Sequence, residues 1–523
     1  MFLIFLILGR TISVIFIVLR YSIFSKCSND VKLKLILQDL GGVFVKLGQI
    51  MAMRFDILPS KYAYTLWDLF DKEPPLSNEE VLSIFKRETG KDIKEVFEYL
   101  EESPIAVASF AQVYKATLNG NDVVIKIQKP GIKYYIKADL TFLKFIAFIL
   151  DIIGVLKSIT AREVIIQLEY WLKDEFDYRI EANNSQIIYK HIKEKHKLKN
   201  VFSPKIYWDY VTEKVLVQEF INGYSVNELI LDIEKNKEKT EKYLEQNNIN
   251  LKVAAEEFVV DIMRQYFVDG FFQADPHPAN LFILPGNKIA WIDFGIVGRP
   301  EQKRIWLLKF LKGAADNDHA LEAESFVNFG HQLIEHQIEL LKTRNEKNFL
   351  IYLKVSEFIV NELANDFKPI LDFWYNSGGK KDLSMRERSS AVTFLKVIKA
   401  AEKYNIKLPS EVISFIRALL IIDMVCLKMS LEFSMPKAVK MFFDRYNIKE
   451  IENQEKTHFM EKENLYVAPI SSEATKERAR ELEEEARLKQ EEAYHDANEK
   501  FKDLVLILID KYPELYKSIK DLL

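Results

Sequence analysis

Glycine is scarce in this chain. It accounts for 17 of 523 residues, half the usual share of about 7%. A nucleotide site built on a glycine-rich loop is hard to form from so few glycines. Cysteine is rarer still, with only Cys27 and Cys426. Two cysteines exclude a disulfide scaffold and a cysteine-rich zinc module, and they are typical of a reducing compartment.

The chain also lacks an excess of positive charge. Lys and Arg number 73 and Asp and Glu number 77, for a formal net charge of −4. At the level of the whole chain this leaves no electrostatic footprint for nucleic acid, so we expect no nucleic-acid partner. The apolar share of 48% and the charged share of 29% are ordinary for a globular protein. The length corresponds to about three domains.

Residues 1–24 are almost all apolar, with Arg10 near the middle and Arg20 towards the end. A spanning helix needs about 20 predominantly apolar residues, and a charge at the bilayer centre costs from about 3 kcal/mol upward. A basic start and a small-residue cleavage site are lacking, so we do not expect a cleaved signal peptide. Three interpretations remain open: a helix in the membrane interface, a strained spanning helix and a buried core helix.

A second apolar stretch, Phe142–Leu156, is interrupted by Lys144 and Asp151. It is too short and too charged to span a membrane, so we expect a core helix there.

Hydrophobic patterning divides the chain into six segments. We expect an apolar N-terminal helix that could anchor the chain to a membrane over 1–28, a helical extension over 29–103, a sheet with a helical insert over 104–223, a mostly helical segment over 224–445, a linker over 446–472, and a charged helix followed by an amphipathic helix over 473–523. The last stretch, Phe501–Leu523, has the pattern of a helix that packs back on the core.

Three strands are expected in the third segment. Residues 112–118 alternate apolar and polar, Asn119-Gly120 is a hairpin turn signal, and Val123–Gln128 follows as a second strand. Val215–Phe220 is the third. Further along, Pro285-Gly286-Asn287 joins two short apolar runs, which predicts another hairpin.

The strongest chemical signal lies on either side of that second hairpin. Asp275 and Asn280 are five residues apart, as are the Asp and Asn of the protein-kinase catalytic loop, and Asp293-Phe294-Gly295 follows. Such a loop carboxylate orients the attacking hydroxyl and accepts its proton, while the amide oxygen holds a metal ion. A second carboxylate, Asp293, then holds Mg²⁺ against the phosphates. The alternative is two aspartates that merely cap turns.

Lys126 ends the strand Val123-Val124-Ile125-Lys126, which resembles the kinase strand whose Lys pairs with nucleotide phosphates and with a helix Glu. The alternative is an ordinary strand that ends in Lys.

The expected phosphate loop carries no glycine. A kinase reads G-x-G-x-x-G-x-V, whereas this chain has Ala at the three Gly positions, 106, 108 and 111, with Val113 in register. Alanine does not adopt positive φ cheaply and favours helix, so we expect a stiffer, helix-prone loop. An ordinary alanine-rich turn is the alternative.

Jointly these motifs resemble the UbiB/ADCK family of atypical, protein-kinase-like ATPases over about residues 18–329. Lys46-Leu47-Gly48-Gln49 resembles the K-x-G-Q motif of the family, and Glu175-Phe176-Asp177 its E-x-D element. Residues 181–184 resemble its E-A-x-N element, and residues 275–280 its catalytic loop. The sequence departs from the family at Gln273, where His is usual, and at Ala279 and Ala111, where Gly is usual or frequent.

The resemblance implies an α+β fold: a two-lobe, protein kinase-like fold with an extra N-terminal helical extension and a mostly helical C-lobe. It implies that Asp275, Lys126 and Glu181 are catalytic, with Glu181 pairing with Lys126, and that the K-x-G-Q motif is regulatory. Glu175 and Asp177 are the acids of the E-x-D element, and Asp177 could compete for a metal or a Lys. Asp177 and Glu181 would share one face of a helix. The metal ligands would be Asn280 and Asp293. The remaining ATP-binding residues would be Ala106, Val107, Ala108, Ser109, Phe110, Ala111, Val113, Glu219 and Ile221.

In function, the resemblance implies an atypical kinase or ATPase that uses ATP or ADP with Mg²⁺ and supports the biosynthesis of an isoprenoid quinone or related lipid. The expected partners are a membrane lipid or quinone precursor and enzymes of that biosynthesis. We expect the protein to be membrane-associated, on the cytoplasmic face of the membrane, or on the matrix side if the membrane belongs to an organelle. Two alternatives are a non-catalytic pseudokinase scaffold and a small-molecule phosphotransferase, and the sequence names no phosphoryl acceptor.

Overall fold

The computed structural model describes residues 2–52, 60–66, 76–107, 110–153, 161–174, 176–300, 304–330, 342–404, 406, 410–453, 495, 498–499, 501–503 and 505–522. Most of the expected linker and charged helix lies outside these residues. The chain forms two compact units. The first runs to Tyr224 and also contains Asn280–Phe282 and Ala290–Val297, and the second contains the remaining residues from Ser225 onward.

The first unit combines helices with an antiparallel sheet. Its α-helices are Phe2–Phe24, Asn29–Leu40, Gly42–Ala52, Ser60–Leu66, Asn78–Thr89, Ile93–Val96, Ile132–Ile153, Ala161–Asp174 and Tyr178–Lys190. The five strands of the sheet are Tyr99–Leu100, Ala106–Val107, Ala111–Leu118, Asn121–Gln128 and Val215–Glu219.

A tight turn sets the register of this sheet. Asn119 and Gly120 have φ of 50° and 73°, as a two-residue hairpin turn requires. Lys126 is thereby placed opposite Val113 on one neighbouring strand and opposite Leu216 on the other. The predicted hairpin and third strand are confirmed.

Alternate side chains of the sheet form its core. Val123, Ile125 and Ile127 are fully buried and pack with Phe85 and Val217. The residues between them, Val124 and Lys126, face the opposite side of the sheet because strand side chains alternate. Burial of the apolar set therefore fixes the face on which the Lys126 side chain emerges.

A second core joins the N-terminal helices to the helical insert. Val14, Leu40 and Phe44 pack with Leu140 and Leu143 of the helix Ile132–Ile153. The expectation of a core helix near residues 142–156 is right for only one face, because Phe145, Phe148, Ile149, Ile152 and Ile153 are exposed. That helix is half-buried and presents an apolar outer side.

The second unit is mostly helical. Its α-helices are Val226–Lys235, Lys237–Gln246, Leu251–Arg264, Arg304–Asp316, His319–Gly330, Glu346–Ser377, Met385–Arg388, Ser390–Glu402, Ser410–Met429, Met435–Arg445 and Pro513–Ile519. The strands Leu281–Leu284 and Lys288–Trp291 each contain residues of both units. They are hydrogen-bonded to each other and form the predicted second hairpin.

The C-terminal stretch packs back on this helical unit, as its amphipathic pattern predicts. Leu508, Leu515 and Ile519 are fully buried. The Tyr512 ring stacks on the Tyr404 ring, and Lys354 Nζ donates to the Ser518 carbonyl over 3.3 Å.

Asp423 and Glu322 are among the buried carboxyl groups of the second unit. Burial raises the pKa of Asp423 to about 7, although its oxygens accept hydrogen bonds from the backbone N–H and the hydroxyl of Ser390. Burial also raises the pKa of Glu322 to about 7, against the effect of the neighbouring His319. Both carboxyls bind a proton more tightly in the folded chain than in the unfolded chain.

This shift gives stability a pH dependence. A raised folded-state pKa contributes stability that is complete below the unfolded pKa and is lost as pH rises through the folded one. We expect the free energy of unfolding of the second unit to fall as pH rises from 3.8 to about 7. Because Asn does not titrate, Asp423→Asn should make this decrease smaller, as measured by urea titrations at several pH values. Asp444→Asn, an exposed control in a neighbouring helix, should keep the wild-type slope. An unchanged slope in Asp423→Asn would contradict the assignment.

Candidate nucleotide site

One lysine and two carboxylates meet in the first unit. Lys126 Nζ lies 2.7 Å from Glu181 Oε1 and 2.8 Å from Asp293 Oδ2. The Glu181 side chain is 6% exposed, the Lys126 side chain 18% and the Asp293 side chain 31%. The structure thus brings together three of the predicted site residues, which are separated by up to 167 positions in sequence.

The charges in this cluster stabilise one another. Burial alone would lower the pKa of Lys126, but the carboxylates of Asp293 and Glu181 outweigh it and hold that pKa well above its ordinary value. Burial would likewise raise the pKa of Asp293, but the Lys126 ammonium prevails and holds it below its ordinary value. The cluster therefore consists of one cation between two anions, with one net negative charge.

Glu181 is positioned by the start of its helix, Tyr178–Lys190. Asp177 is the N-cap: its carboxylate accepts the backbone N–H of Arg179 and pairs with the Arg179 guanidinium over 2.6 Å. Hydrogen bonding from Arg179 lowers the pKa of Asp177. The expectation that Asp177 and Glu181 share a helical face is therefore wrong, because Asp177 precedes the helix and has an extended φ of −129°.

Hydrogen bonds between side chains and the backbone hold the Asp293-Phe294-Gly295 turn. Asn184 Nδ2 donates to the Phe294 carbonyl over 3.0 Å, and Gln218 Nε2 donates to the Ile292 carbonyl over 3.2 Å. The backbone N–H of Gly295 donates to Asp293 Oδ1 over 2.9 Å. These bonds leave Asp293 with one oxygen fixed by its own turn and the other at Lys126.

The predicted catalytic loop is supported by hydrogen bonds among residues of the second unit. Gln273, which stands where the family usually has His, donates from Nε2 to the Asp275 carbonyl over 2.6 Å. Arg417 donates to the Ala274 carbonyl over 2.9 Å, and His277 Nδ1 accepts the backbone N–H of Ala279 over 3.2 Å. An amide at position 273 therefore supports the loop backbone, and Asp275 itself is partly exposed.

Asn280 ends a short 3-10 turn, Pro278–Asn280, at the start of the second hairpin. Its carbonyl accepts the backbone N–H of Ile292 over 3.1 Å within the first unit. Asn280 is thus tied by the backbone to the residue before Asp293.

The alanine-rich segment is extended where the structure describes it. Ala106–Val107 forms a strand paired with the strand Ala111–Leu118, so the expected helix-prone loop is not seen there. The predicted ATP-binding residues Ala108 and Ser109 lie outside the described residues. Ala111 is buried, and Val113 lies opposite both Ala106 and Lys126.

Phe110 anchors that segment to the N-terminal extension. Its ring is buried in the second core, packs edge-on against Phe176 at 5.8 Å, and lies 3.8 Å from where a Cβ on Gly42 would be. The carbonyl of Phe110 accepts the backbone N–H of Lys129. The aromatic residue therefore acts as a structural anchor in this segment.

Lys46 and Gly48 lie on the helix Gly42–Ala52, and Gly48 is buried. The charge of Lys46 is among the influences that lower the pKa of Asp293. The extension thus contributes positive potential at the cluster. The side chain of Gln49 and the predicted Glu175 lie outside the described residues.

Of the predicted adenine-contacting residues, Glu219 ends the strand Val215–Glu219 and Ile221 lies two residues beyond it. The backbone N–H of Glu219 donates to the Lys205 carbonyl over 2.8 Å, and the Ile221 carbonyl accepts the N–H of Gly223. Their roles toward adenine stay predictions.

Three positioning residues were not predicted from the sequence. Asn184 is predicted only as part of the E-A-x-N element, and Gln218 and Arg417 are not among the predicted residues. Gln218 lies inside an apolar strand and Arg417 inside an apolar helix, and polar residues at such positions are the signal that could have singled them out.

Comparison with known proteins agrees with these motifs. Residues 68–325 match the ABC1 atypical kinase-like domain. A protein of Pseudomonas fluorescens named "probable protein kinase UbiB" is 36% identical over 70% of this chain and 74% of its own length. A chloroplastic Arabidopsis thaliana protein, ACTIVITY OF BC1 COMPLEX KINASE 8, is 32% identical over 56% of this chain and 37% of its own length.

A protein of Marinobacter nauticus named "probable protein kinase UbiB" is 36% identical over 52% of this chain and 48% of its own length. The chain thus spans about half, or less, of the length of several relatives that it matches. Among solved structures, Rv3197 with erythromycin from Mycobacterium tuberculosis is 26% identical, with a TM-score of 0.38, over 60% of this chain and 77% of that one.

We expect Asn184→Leu to weaken nucleotide binding about tenfold, since a buried carbonyl without its donor costs about 1–3 kcal/mol and the turn that carries Asp293 loses its support. Binding of a fluorescent ATP analogue measures this. Asn183→Leu, at the exposed neighbouring position of the same helix, should bind like the wild type. Equal effects of the two substitutions would contradict the positioning role of Asn184.

Proposed function

The chain belongs to the ABC1 atypical kinase-like family, and we propose from this premise that it binds a magnesium–adenine nucleotide at the Lys126–Glu181–Asp293 cluster. The observation that carries the proposal is the bidentate approach of Glu181 to Lys126, at 2.7 and 3.0 Å. That pair holds an ammonium ion in place on a rigid strand. In protein kinases the corresponding lysine contacts the nucleotide phosphates.

The donors present suit magnesium. Asp293 offers a carboxylate and Asn280 an amide oxygen, and Mg²⁺ prefers oxygen ligands and usually keeps waters and phosphate oxygens as the rest of its shell. Among the described residues, no group of three or more His, Cys, Asp or Glu gathers into a dedicated metal cluster, which fits an ion shared with phosphates. Bound Mg²⁺ would neutralise phosphate charge.

The cluster also indicates what nucleotide binding must displace. Asp293 Oδ2 faces the Lys126 ammonium at 2.8 Å. In the proposed complex, Lys126 would pair with phosphate oxygens and Asp293 would hold the metal, so each side chain would exchange one opposite charge for another. Glu181 keeps Lys126 paired throughout this exchange, which avoids an unpaired buried charge.

For the reaction, we assign Asp275 the role of the carboxylate that orients an attacking hydroxyl or water and accepts its proton. The hydrogen bonds from Gln273 and Arg417 to the neighbouring backbone support this assignment, because they fix the loop that carries Asp275. The activity proposed is that of an atypical kinase or ATPase.

The proposed setting is a membrane, in support of the biosynthesis of an isoprenoid quinone or related lipid. Two observations support this setting. Relatives of the chain are named UbiB, and the segment Ile7–Phe24 of the N-terminal helix is strongly apolar, with only 6% of its residues buried. Among the described residues it is the one helix long and apolar enough to cross a bilayer. The partners proposed are a lipid or quinone precursor and enzymes that act on it.

We expect Asp293→Asn to abolish magnesium-dependent ATP binding, because the neutral amide can neither balance Lys126 nor hold the metal as a carboxylate does. Calorimetry with and without Mg²⁺ measures this. Asp316→Asn, at an exposed helix end, is the control and should bind normally. Unchanged binding in Asp293→Asn would contradict the site.

Phosphate release separates the enzyme from a scaffold. We expect the purified full chain to hydrolyse ATP in the presence of phospholipid vesicles and a quinone-like headgroup compound, and Asp275→Asn to lose that activity while it retains ATP binding. Binding without any turnover under all these conditions would assign the pseudokinase scaffold instead.

A further inference from the structure

Two helices of the first unit expose apolar side chains along their outer faces. On the helix Ile132–Ile153, the side chains at positions 145, 148, 149, 152 and 153 are between 36% and 69% exposed and follow the i, i+3, i+4, i+7 spacing of one helical face. On Phe2–Phe24, the exposed large apolar residues lie at 8, 12, 15, 16, 18, 19, 23 and 24. A helix that faces water normally carries polar residues along such a face.

A part-buried ion pair joins these two helices. Arg10, the charge within the apolar N-terminal helix, donates to both carboxylate oxygens of Asp139 at 2.6 and 2.9 Å, and to the Leu40 carbonyl at 2.9 Å. The Asp139 side chain is 4% exposed and the Arg10 side chain 25% exposed. The arginine is thus paired with a carboxylate of the protein, which reduces the main obstacle to placing this helix in an apolar medium.

The ends of the two helices have the residues of a membrane interface. Exposed Arg20 and Lys26 lie at and beyond the end of the first helix, and exposed Tyr134 and Tyr135 lie near the start of the second. Cationic and aromatic side chains of this kind are favoured at the level of lipid headgroups, and the cations complement anionic headgroups.

We propose that the helix Ile132–Ile153 is a second membrane-contacting element, held beside the N-terminal helix by the Arg10–Asp139 pair, and that a phospholipid bilayer covers both outer faces. The inference rests on the membrane association in the proposed function and deepens it. The nucleotide-site lysine and this helix are close in sequence, since the helix begins six residues after Lys126, so the proposed membrane contact is made by the same unit that carries the cluster.

An environment-sensitive fluorophore tests the proposal directly. Cys27 is exposed and Cys426 is buried, so a full chain with Cys27→Ser and Ile152→Cys can be labelled at position 152 with NBD. With vesicles of phosphatidylcholine containing phosphatidylglycerol, we expect a blue shift, a severalfold rise in emission and quenching by a lipid-borne nitroxide. The matched control carries Cys27→Ser and Leu350→Cys, on an exposed apolar position of the second unit, and should show none of these.

Two results would overturn the proposal. If the chain floats with vesicles but the label at 152 stays in water, the N-terminal helix alone binds the membrane, and the proposed function stands without this second element. If the label shifts without vesicles as protein concentration rises, the face joins two copies of the chain. Failure of the chain to float at all would instead count against the membrane association in the proposed function.

Charge substitutions give an independent measurement. We expect Phe145→Glu with Ile152→Glu to weaken partition into the same vesicles about tenfold, since binding scales with the apolar area that enters the lipid. Leu350→Glu with Leu353→Glu, at positions 42% and 45% exposed on a helix of the second unit, should leave partition unchanged. Circular dichroism checks that both variants fold, and equal partition of both would contradict the proposal.

Discussion

The candidate site depends on one interaction, the pairing of a single ammonium group with two carboxylates. Lys126 contacts both Glu181 and Asp293. The three residues come from three different elements: Lys126 from a strand, Glu181 from a helix and Asp293 from the turn after a hairpin. None of the three could stay charged and largely buried without the others, because an isolated buried charge is costly. Their mutual distances therefore define how strand, helix and turn must be arranged in the first unit.

The remainder of that unit secures this arrangement. The hydrophobic face of the sheet directs Lys126 to the opposite side, the Asp177 cap starts the helix that carries Glu181, and Asn184 ties the same helix to the Phe294 carbonyl. One helix thus holds both the lysine and the turn that carries Asp293. This is why the cluster is a property of the fold and not of a flexible loop.

Scarcity of glycine bears on the loop near this cluster. Alanines stand where a kinase places glycines, and Ala106–Val107 is held as a strand while Phe110 is anchored in the core of the extension. The described residues of this segment are thus held by strand pairing and by packing of an aromatic ring, whereas helix propensity pointed to a different conformation.

Much of the fold and part of the site could be predicted from the sequence. The hairpin around Asn119-Gly120 and the mostly helical second unit follow from local turn chemistry and periodicity, and the Lys126–Glu181 pair follows from motif resemblance. Asp177 could not be placed, since its position as cap depends on where the helix begins. The roles of Gln218 and Arg417 could not be predicted either, because their partners are backbone carbonyls far along the chain. The outer face of Ile132–Ile153 reads as core by composition alone, and only tertiary packing shows which side is covered.

The most direct test of the central claim is labelling of the full chain by an acyl-phosphate derivative of ATP, which acylates lysines beside bound phosphates, followed by mass spectrometry. The account predicts that Lys126 is acylated and that excess magnesium–ATP protects it. Labelling of Lys126 that magnesium–ATP does not reduce, or protection of other lysines only, would contradict the assignment of the nucleotide site.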